Sequence, residues 1–218
     1  MPEDYAKSYY PVFVDLEGRL AVVVGGGAVA ERKVLSLLQY GAEVRVIAPV
    51  VTSKIETLAA EGRVTLQRRG YVRGDVGGAF LVVCATDSAE VNRAVNAEAD
   101  ACGCLVNVVD VPELCNFIVP SVVQRGPLQI AVSTAGAAPA VAKRLRKQLE
   151  EEFGPEWETY TRLLGEVRSL VMERVAGGET VRKPIFEAIA DSDLIVRIES
   201  GERPSAEDVF AEFAETEG

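Results

Sequence analysis

Residues 20–33 read Leu-Ala-Val-Val-Val-Gly-Gly-Gly-Ala-Val-Ala-Glu-Arg-Lys, an apolar run that stops at three glycines and resumes as a proline-free, helix-forming segment. A strand, a tight turn and a helix start in this order bring unpaired backbone N–H groups and the positive end of a helix dipole to a pyrophosphate. The spacing fits G-x-G-x-x-[GA], with Gly25 for the turn, Gly27 where backbone must approach the phosphates and Ala30 for close packing of helix on sheet. Five apolar residues precede the turn, and Val29, Val34, Leu37 and Leu38 keep an apolar face on the helix after it. The turn Gly25-Gly26-Gly27 is therefore read as a dinucleotide cradle.

One part of that pattern is missing. An acid about 20 residues further on usually binds the ribose hydroxyls, but the second strand reads Glu-Val-Arg-Val-Ile-Ala-Pro over residues 43–49 and closes without a carboxylate. Ribose contact must then come from backbone around Pro49 and Val50, or from Thr52 and Ser53. Arg45 raises a 2′-phosphate, and hence NADP, as an alternative. Its position within the strand rather than at the strand end argues against that role.

The chain has 218 residues, 48% of them hydrophobic, enough for one well-packed domain and a smaller one. Its charge of −10 is uneven: residues 1–147 carry 16 basic and 15 acidic side chains, whereas residues 148–218 carry 7 and 18. The first part can accept an anionic ligand, while the acidic tail argues against nucleic acid as a partner. There is no apolar run long enough to span a bilayer, and the start Met-Pro-Glu-Asp-Tyr-Ala-Lys lacks the order of a signal peptide, so a soluble, cytoplasmic protein is expected. Cys84, Cys102, Cys104 and Cys115 show no framework spacing and are expected as reduced thiols. With no histidine in the chain, Cys102-Gly-Cys104 makes a poor zinc site, and no protein-held metal is expected.

Strand-like runs recur at residues 10–16, 20–24, 44–48, 64–67, 80–85, 105–109 and 128–133, and helical patterns over 28–40, 52–61 and 88–102 separate several of them. That alternation predicts an α/β fold with a Rossmann-like parallel sheet, since parallel strands need crossover connections. Asp87-Ser-Ala-Glu90 and Ser53-Lys-Ile-Glu56 read as helix starts with a capping residue and an acid three positions on. After residue 110 the rhythm stops, and Pro112, Pro120, Pro127 and Pro139 punctuate short apolar pieces. From about 138 the chain looks helical, with Val141, Ala142, Leu145 and Leu149 on one face, and further helices fit 155–175, 181–191 and 204–214. The expected organisation is a nucleotide-binding domain over 1–110, a small α+β segment over 111–147 and an acidic, helical C-terminal domain over 148–218.

Ligands of open α/β sheets bind beyond the carboxyl ends of the strands, so the residues closing each strand carry the chemistry. Thr86 is placed to touch the dinucleotide, while Asp87 divides evenly between that role and a helix cap. Asp110 ends the strand segment Asn-Val-Val-Asp with no capping signal after it and Pro112 two residues on. A carboxylate there can take a proton as a substrate loses hydride; the alternative is a solvated turn aspartate. The turn from Ser133 to Pro139 is small and hydroxylic and opens a helix carrying Lys143, Arg144, Arg146 and Lys147, a charge density suited to carboxylates.

Taken together, V-G-G-G-x-V-A-x-R-K at 24–33, A-T-D at 85–87, N-V-V-D at 107–110, F-I-V-P-S at 117–121 and A-V-S-T-x-G-x-x-P at 131–139 closely resemble the precorrin-2 dehydrogenase and sirohydrochlorin ferrochelatase family of siroheme biosynthesis. The resemblance covers about residues 8–150 and implies NAD-dependent oxidation of precorrin-2 to sirohydrochlorin, with ferrous iron insertion as a second activity in some members. It implies NAD contacts at Ala28, Val29, Pro49 and Val50, and places Asp110 on the aspartate implicated in both activities. Thr134 falls where some relatives carry a phosphorylated serine. The implied substrate is a flat macrocycle with eight carboxylates, for which Asn107, Arg125, Ser133, Thr134, Lys143, Arg144 and Arg146 are the expected binding residues. A homodimer is also implied, with the segment after Asp110 exchanging contacts between subunits. No methyltransferase portion is present in this sequence, so precorrin-2 is expected from another protein. The competing reading is a non-catalytic nucleotide sensor or tetrapyrrole carrier on the same scaffold; a redox-sensing repressor would need a basic DNA-binding element, which is not visible.

Overall fold

The computed structural model describes residues 7–214, in two compact units that part between Val119 and Pro120. The first is built on five parallel strands, β1 (Leu20–Val24), β2 (Glu43–Ile47), β3 (Val64–Gln67), β4 (Leu81–Cys84) and β5 (Leu105–Val108), in the spatial order β3-β2-β1-β4-β5. Helices α1 (Ala28–Gln39), α2 (Ser53–Ala60) and α3 (Ala89–Cys102) make the connections that parallel pairing demands. Strands buried on both faces read as unbroken apolar runs. Ala21 to Val24 and Leu81 to Cys84 are all buried, and they divide their side chains between two cores. One core lies under α1 and α2 and holds Val23, Ala30, Val34, Ile55 and Leu58. The other lies under α3 and holds Val22, Val82, Val95, Ala99 and Val106.

The connection from β3 to β4 has no helix. Residues 68–80 are instead shaped around two carboxylates. Asp75, 8% exposed, accepts from both terminal nitrogens of Arg69 at 2.7 Å and from the Val72 N–H at 2.8 Å. Glu98 of α3 accepts from the Gly74 N–H at 2.9 and 3.0 Å and from the Val76 N–H at 3.3 Å, and it takes the Tyr71 hydroxyl as well. Between them Val76 is fully buried against the α3 core.

Two expectations shift here. The run over residues 10–16 is not a strand: Tyr10, Val12, Phe13 and Val14 are exposed and the backbone is irregular. An apolar run becomes a strand only where its N–H and C=O groups meet a ladder partner, and this one meets none among the described residues. The helix starts also move by one residue. Thr52 caps α2 by accepting from the Ile55 N–H, and Ser88 caps α3 by accepting from the Val91 N–H. Asp87 and Ser53 are therefore not the caps, and neither acid sits at the third helical position.

The second unit begins with an antiparallel pair, β6 (Ser121–Arg125) and β7 (Leu128–Val132). Gly126 at φ 56° before Pro127 gives the two-residue turn whose twist suits a hairpin. β6 was not among the expected strands. Helix α4 (Pro139–Glu152) follows, then α5 (Glu156–Arg174), α6 (Glu179–Ala190), α7 (Leu194–Glu199) and α8 (Ala206–Ala214). The last four share one core of Val167, Val171, Ile189, Leu194 and Val209. Helix α7 was also not anticipated, being too short for a periodic signal. Among the described residues no helix is long and apolar enough to cross a membrane.

The Asp75 hub gives a testable pH signature. The Arg69 guanidinium, helped by the Val72 N–H and opposed by burial, holds the Asp75 carboxyl below the usual carboxylate range. A lowered folded-state pKa stabilises above the unfolded value, and that stabilisation is lost as pH falls toward the folded value. Asp75→Asn should therefore lower stability at pH 7 by about 1–2 kcal/mol, the low end because Arg69 is half exposed. The difference from the parent protein should close below about pH 4, as read by thermal melts across pH.

Candidate cofactor site

The carboxyl ends of β1, β2 and β4 enclose a cleft of about 540 Å³. Its floor is the glycine turn. Gly25 has φ 128°, and a Cβ there would lie 2.1 Å from the Ala85 carbonyl oxygen; a Cβ on Gly26 would lie 2.1 Å from that of Val50. These two glycines let three strand ends close on one another. The closure is fixed by main-chain bonds from Gly25 N to Ile47 O (3.0 Å), Ala85 N to Val24 O (2.7 Å) and Thr52 N to Gly26 O (3.0 Å).

Gly27 differs from both. It is exposed, has ordinary extended geometry (φ −80°, ψ −173°), and a Cβ on it would meet nothing within 4 Å. It is also the N-cap of α1, and no side chain caps that helix, whereas hydroxyls cap α2 and α3. The first-turn donors of α1 are thus left without a capping side chain at the floor of an open cleft, an arrangement that suits a phosphate. The residues present fit a dinucleotide.

All eight residues expected at the cofactor, Gly25, Gly26, Gly27, Ala28, Val29, Pro49, Val50 and Thr86, line this one cleft. Ala30, on the inner face of α1, is fully buried, as close helix-on-sheet packing requires. Arg45 is in mid-strand, and its guanidinium reaches the Asp75 carbonyl at 3.5 Å, away from the strand end where a 2′-phosphate would lie. Gly70, Tyr71 and Val91 also line the cleft, together with Asp87, its one carboxylate among the described residues. Gly70 and Tyr71 escape sequence reasoning because they come from the irregular β3–β4 connection, where no periodicity marks a wall.

Asp110 stands at the same edge of the sheet. The register pairs Cys84 with Val108, so Thr86 and Asp110 are each two residues beyond a paired position on neighbouring strands. Val111 N donates to Val108 O at 3.2 Å, closing a turn in which Asp110 takes φ 60°. An L residue held there costs on the order of 1 kcal/mol, less for aspartate than for most. The carboxylate is exposed. Asn107 serves the backbone: its side-chain amide donates to Phe117 O at 3.1 Å and ties the following segment to β5.

The remaining expected substrate residues belong to the second unit. Arg125 reaches Phe153 O at 2.8 Å and the carbonyls of Gln124 and Glu150 at 3.0 Å, so its fork closes the C-terminal end of α4. Arg146 pairs with Glu150 one turn on. Lys143 and Arg144 are exposed. The Ser133 hydroxyl accepts from Ala135 N at 3.0 Å and that of Thr134 from Ala138 N at 3.1 Å, shaping the turn before α4.

Comparison with known proteins agrees with this geometry. Residues 12–121 match a family described as putative NAD(P)-binding, and residues 125–152 match the sirohaem biosynthesis protein central family. The siroheme synthase of Nitrosococcus oceani is 37% identical over 199 residues, covering 91% of this chain and 42% of that protein. The siroheme synthase of Methylobacillus flagellatus is 38% identical over 204 residues, covering 92% and 44%. The chain thus spans less than half the length of these relatives. A solved structure titled SirC, precorrin-2 dehydrogenase, superposes with a TM-score of 0.79 at 29% identity, covering 95% of this chain and all of that one.

Gly25 and Gly27 should separate on substitution. Gly25→Ala should lose about 3 kcal/mol or more of stability through backbone collision and strain. Gly27→Ala should stay within about 1 kcal/mol of the parent yet bind the dinucleotide at least about tenfold more weakly, because its methyl fills the phosphate approach. Melting curves and calorimetric titration with NAD read the two effects separately.

Proposed function

The chain belongs to the NAD(P)-binding family matched over residues 12–121 and joined to the siroheme-biosynthesis segment matched over 125–152, and from that membership we propose that it oxidises precorrin-2 to sirohydrochlorin with NAD. The observation that carries the reading is the uncapped start of α1 beside an unobstructed Gly27 at the floor of the cleft. The name of the SirC structure supplies the substrate class.

NAD bound in the cleft supplies the hydride acceptor. The backbone from Gly25 to Val29 holds the pyrophosphate, and Pro49 and Val50, at the end of β2, meet the adenosine ribose through main-chain groups. Thr86 bounds the cleft on the β4 side. The ends of β4 and β5, with Thr86 and Asp110, would hold the nicotinamide side, since the glycine turn at β1 would take the phosphates. Asp110 is on that side. As the macrocycle gives up a hydride, Asp110 accepts the proton released with it, so two electrons and one proton leave as hydride and the second proton rests on the carboxylate. The left-handed backbone at Asp110 supports this role, since strain of this kind persists where a side chain must be aimed.

Lys143 and Arg144 are the cations assigned to substrate carboxylates, since Arg125 and Arg146 are occupied within the fold. Ser133, Thr134 and Asn107 complete the substrate set as shape-giving residues. Ferrous iron is assigned as a second substrate, inserted into sirohydrochlorin with Asp110 taking pyrrole protons. The protein is assigned to the cytoplasm, where its four free thiols stay reduced. A homodimer through the 111–147 segment accounts for Val141 and Leu145, 48% and 41% exposed on α4, and for a two-stranded sheet that is marginal by itself.

Asp110→Asn should keep fold and NAD affinity, since asparagine tolerates the left-handed region, and lose about 100-fold or more in turnover. An anaerobic assay of precorrin-2 with NAD, followed at the nicotinamide absorbance with and without ferrous iron, checks it. Full turnover by Asp110→Asn would remove the residue from the mechanism, and binding of both ligands without reduction would favour a carrier. Sedimentation should give twice the 23.4 kDa chain mass.

A further inference from the structure

The adenosine half of the cleft has a wall that the glycine motif does not account for. The connection after β3 enters the cleft at Gly70 and Tyr71, and β3 lies beside β2, whose end is assigned above to the adenosine ribose. Among the described residues Tyr71 is the one aromatic residue lining the cleft, which Ile47, Pro49 and the 78% exposed Val50 also line with apolar surface. Tyr71 and Val91 also line a second hollow of about 420 Å³ against α3, so the two residues form a partition between two open spaces.

Tyr71 is half-buried and packs against the α3 core, and the tip of its ring is fixed as well. Here the hydroxyl donates to Glu98, and Glu98 is itself held by the N–H groups of Gly74 and Val76. Val76 is fully buried in the α3 core, so the chain of contacts runs from the core to the tip of the ring. Burial and the neighbouring Glu98 both push the Tyr71 phenol pKa up, which keeps the hydroxyl protonated as a donor.

We propose that Tyr71 is the platform on which the adenine of the dinucleotide stacks, and that Glu98 is the positioning residue that holds its ring in the partition between the two hollows. The assignment rests on the NAD reading above and adds to it the source of affinity for the adenine half. A base has a π-face whatever its edge, so a single well-held aromatic ring recognises it without a hydrogen-bonding partner. The ring also offers no cation and no carboxylate to the ribose.

The test uses the full chain and three ligands: NAD, ADP-ribose, which keeps the adenine, and nicotinamide mononucleotide, which lacks it. Tyr71→Leu, chosen to keep apolar volume against the core, should weaken NAD and ADP-ribose by about tenfold or more and leave nicotinamide mononucleotide within about twofold. Tyr71→Phe keeps the ring without its tether and should lose only about threefold for the adenine ligands. Glu98→Gln should give a loss of similar size, and the double variant Tyr71→Phe with Glu98→Gln should be no weaker than Tyr71→Phe alone, because both changes break one link. A Tyr71→Leu protein that binds ADP-ribose like the parent, or that loses all three ligands equally, would overturn the platform. Additive losses in the double variant would overturn the role of Glu98. A parent protein that binds neither NAD nor ADP-ribose would overturn the cofactor reading itself, and this assignment with it.

Discussion

The carboxyl edge of the sheet depends on two places where backbone meets backbone with no room for a side chain. Gly25 lies against the Ala85 carbonyl and Gly26 against that of Val50. Through those contacts the ends of β1, β2 and β4 draw close enough for main-chain bonds to fix all three. A methyl group at either site would push a neighbouring strand end outward and open the floor of the cleft. The third glycine takes no part in that closure, so packing does not account for its absent side chain.

Helix ends make the same distinction in a second way. Helices α2 and α3 each satisfy one first-turn N–H group with a capping hydroxyl, that of Thr52 and that of Ser88. Helix α1 has no capping side chain and begins at the cleft. Among the described residues, two of the three helices on this sheet are closed by hydroxyls and one starts open, an arrangement compatible with an outside acceptor at that terminus.

The glycine turn, the five parallel strands and their helices were legible because each has a short-range cause: spacing for the turn, unbroken apolar runs for buried strands, and a 3.6-residue period for the helices. What was not legible depends on partners far along the chain. Residues 10–16 have a strand's composition without a ladder to join. Arg125 reads as available for a ligand in the sequence, but carbonyls at the end of α4, some 25 residues away, occupy it. Tyr71 sits in a crossover folded around Asp75 and Glu98, and no local pattern announces that two carboxylates will replace a helix. The caps of α2 and α3 were misplaced by one residue because Thr-Ser and Asp-Ser pairs offer adjacent candidates that sequence cannot rank.

The left-handed backbone at Asp110 restricts which sequences this position can explore. Glycine would sit there with less strain, and asparagine would sit there comfortably, but both give up the negative charge. Glutamate would keep the charge, yet it is poorly suited to the conformation and its longer stem would shift the oxygens. Every single-residue change from aspartate therefore loses either backbone comfort or the aim of the carboxylate. A lineage released from the need for an acid at this edge would be expected to drift to glycine or asparagine first, so the identity of residue 110 in any descendant chain is a compact marker of whether the proton-transfer role proposed for it has been retained.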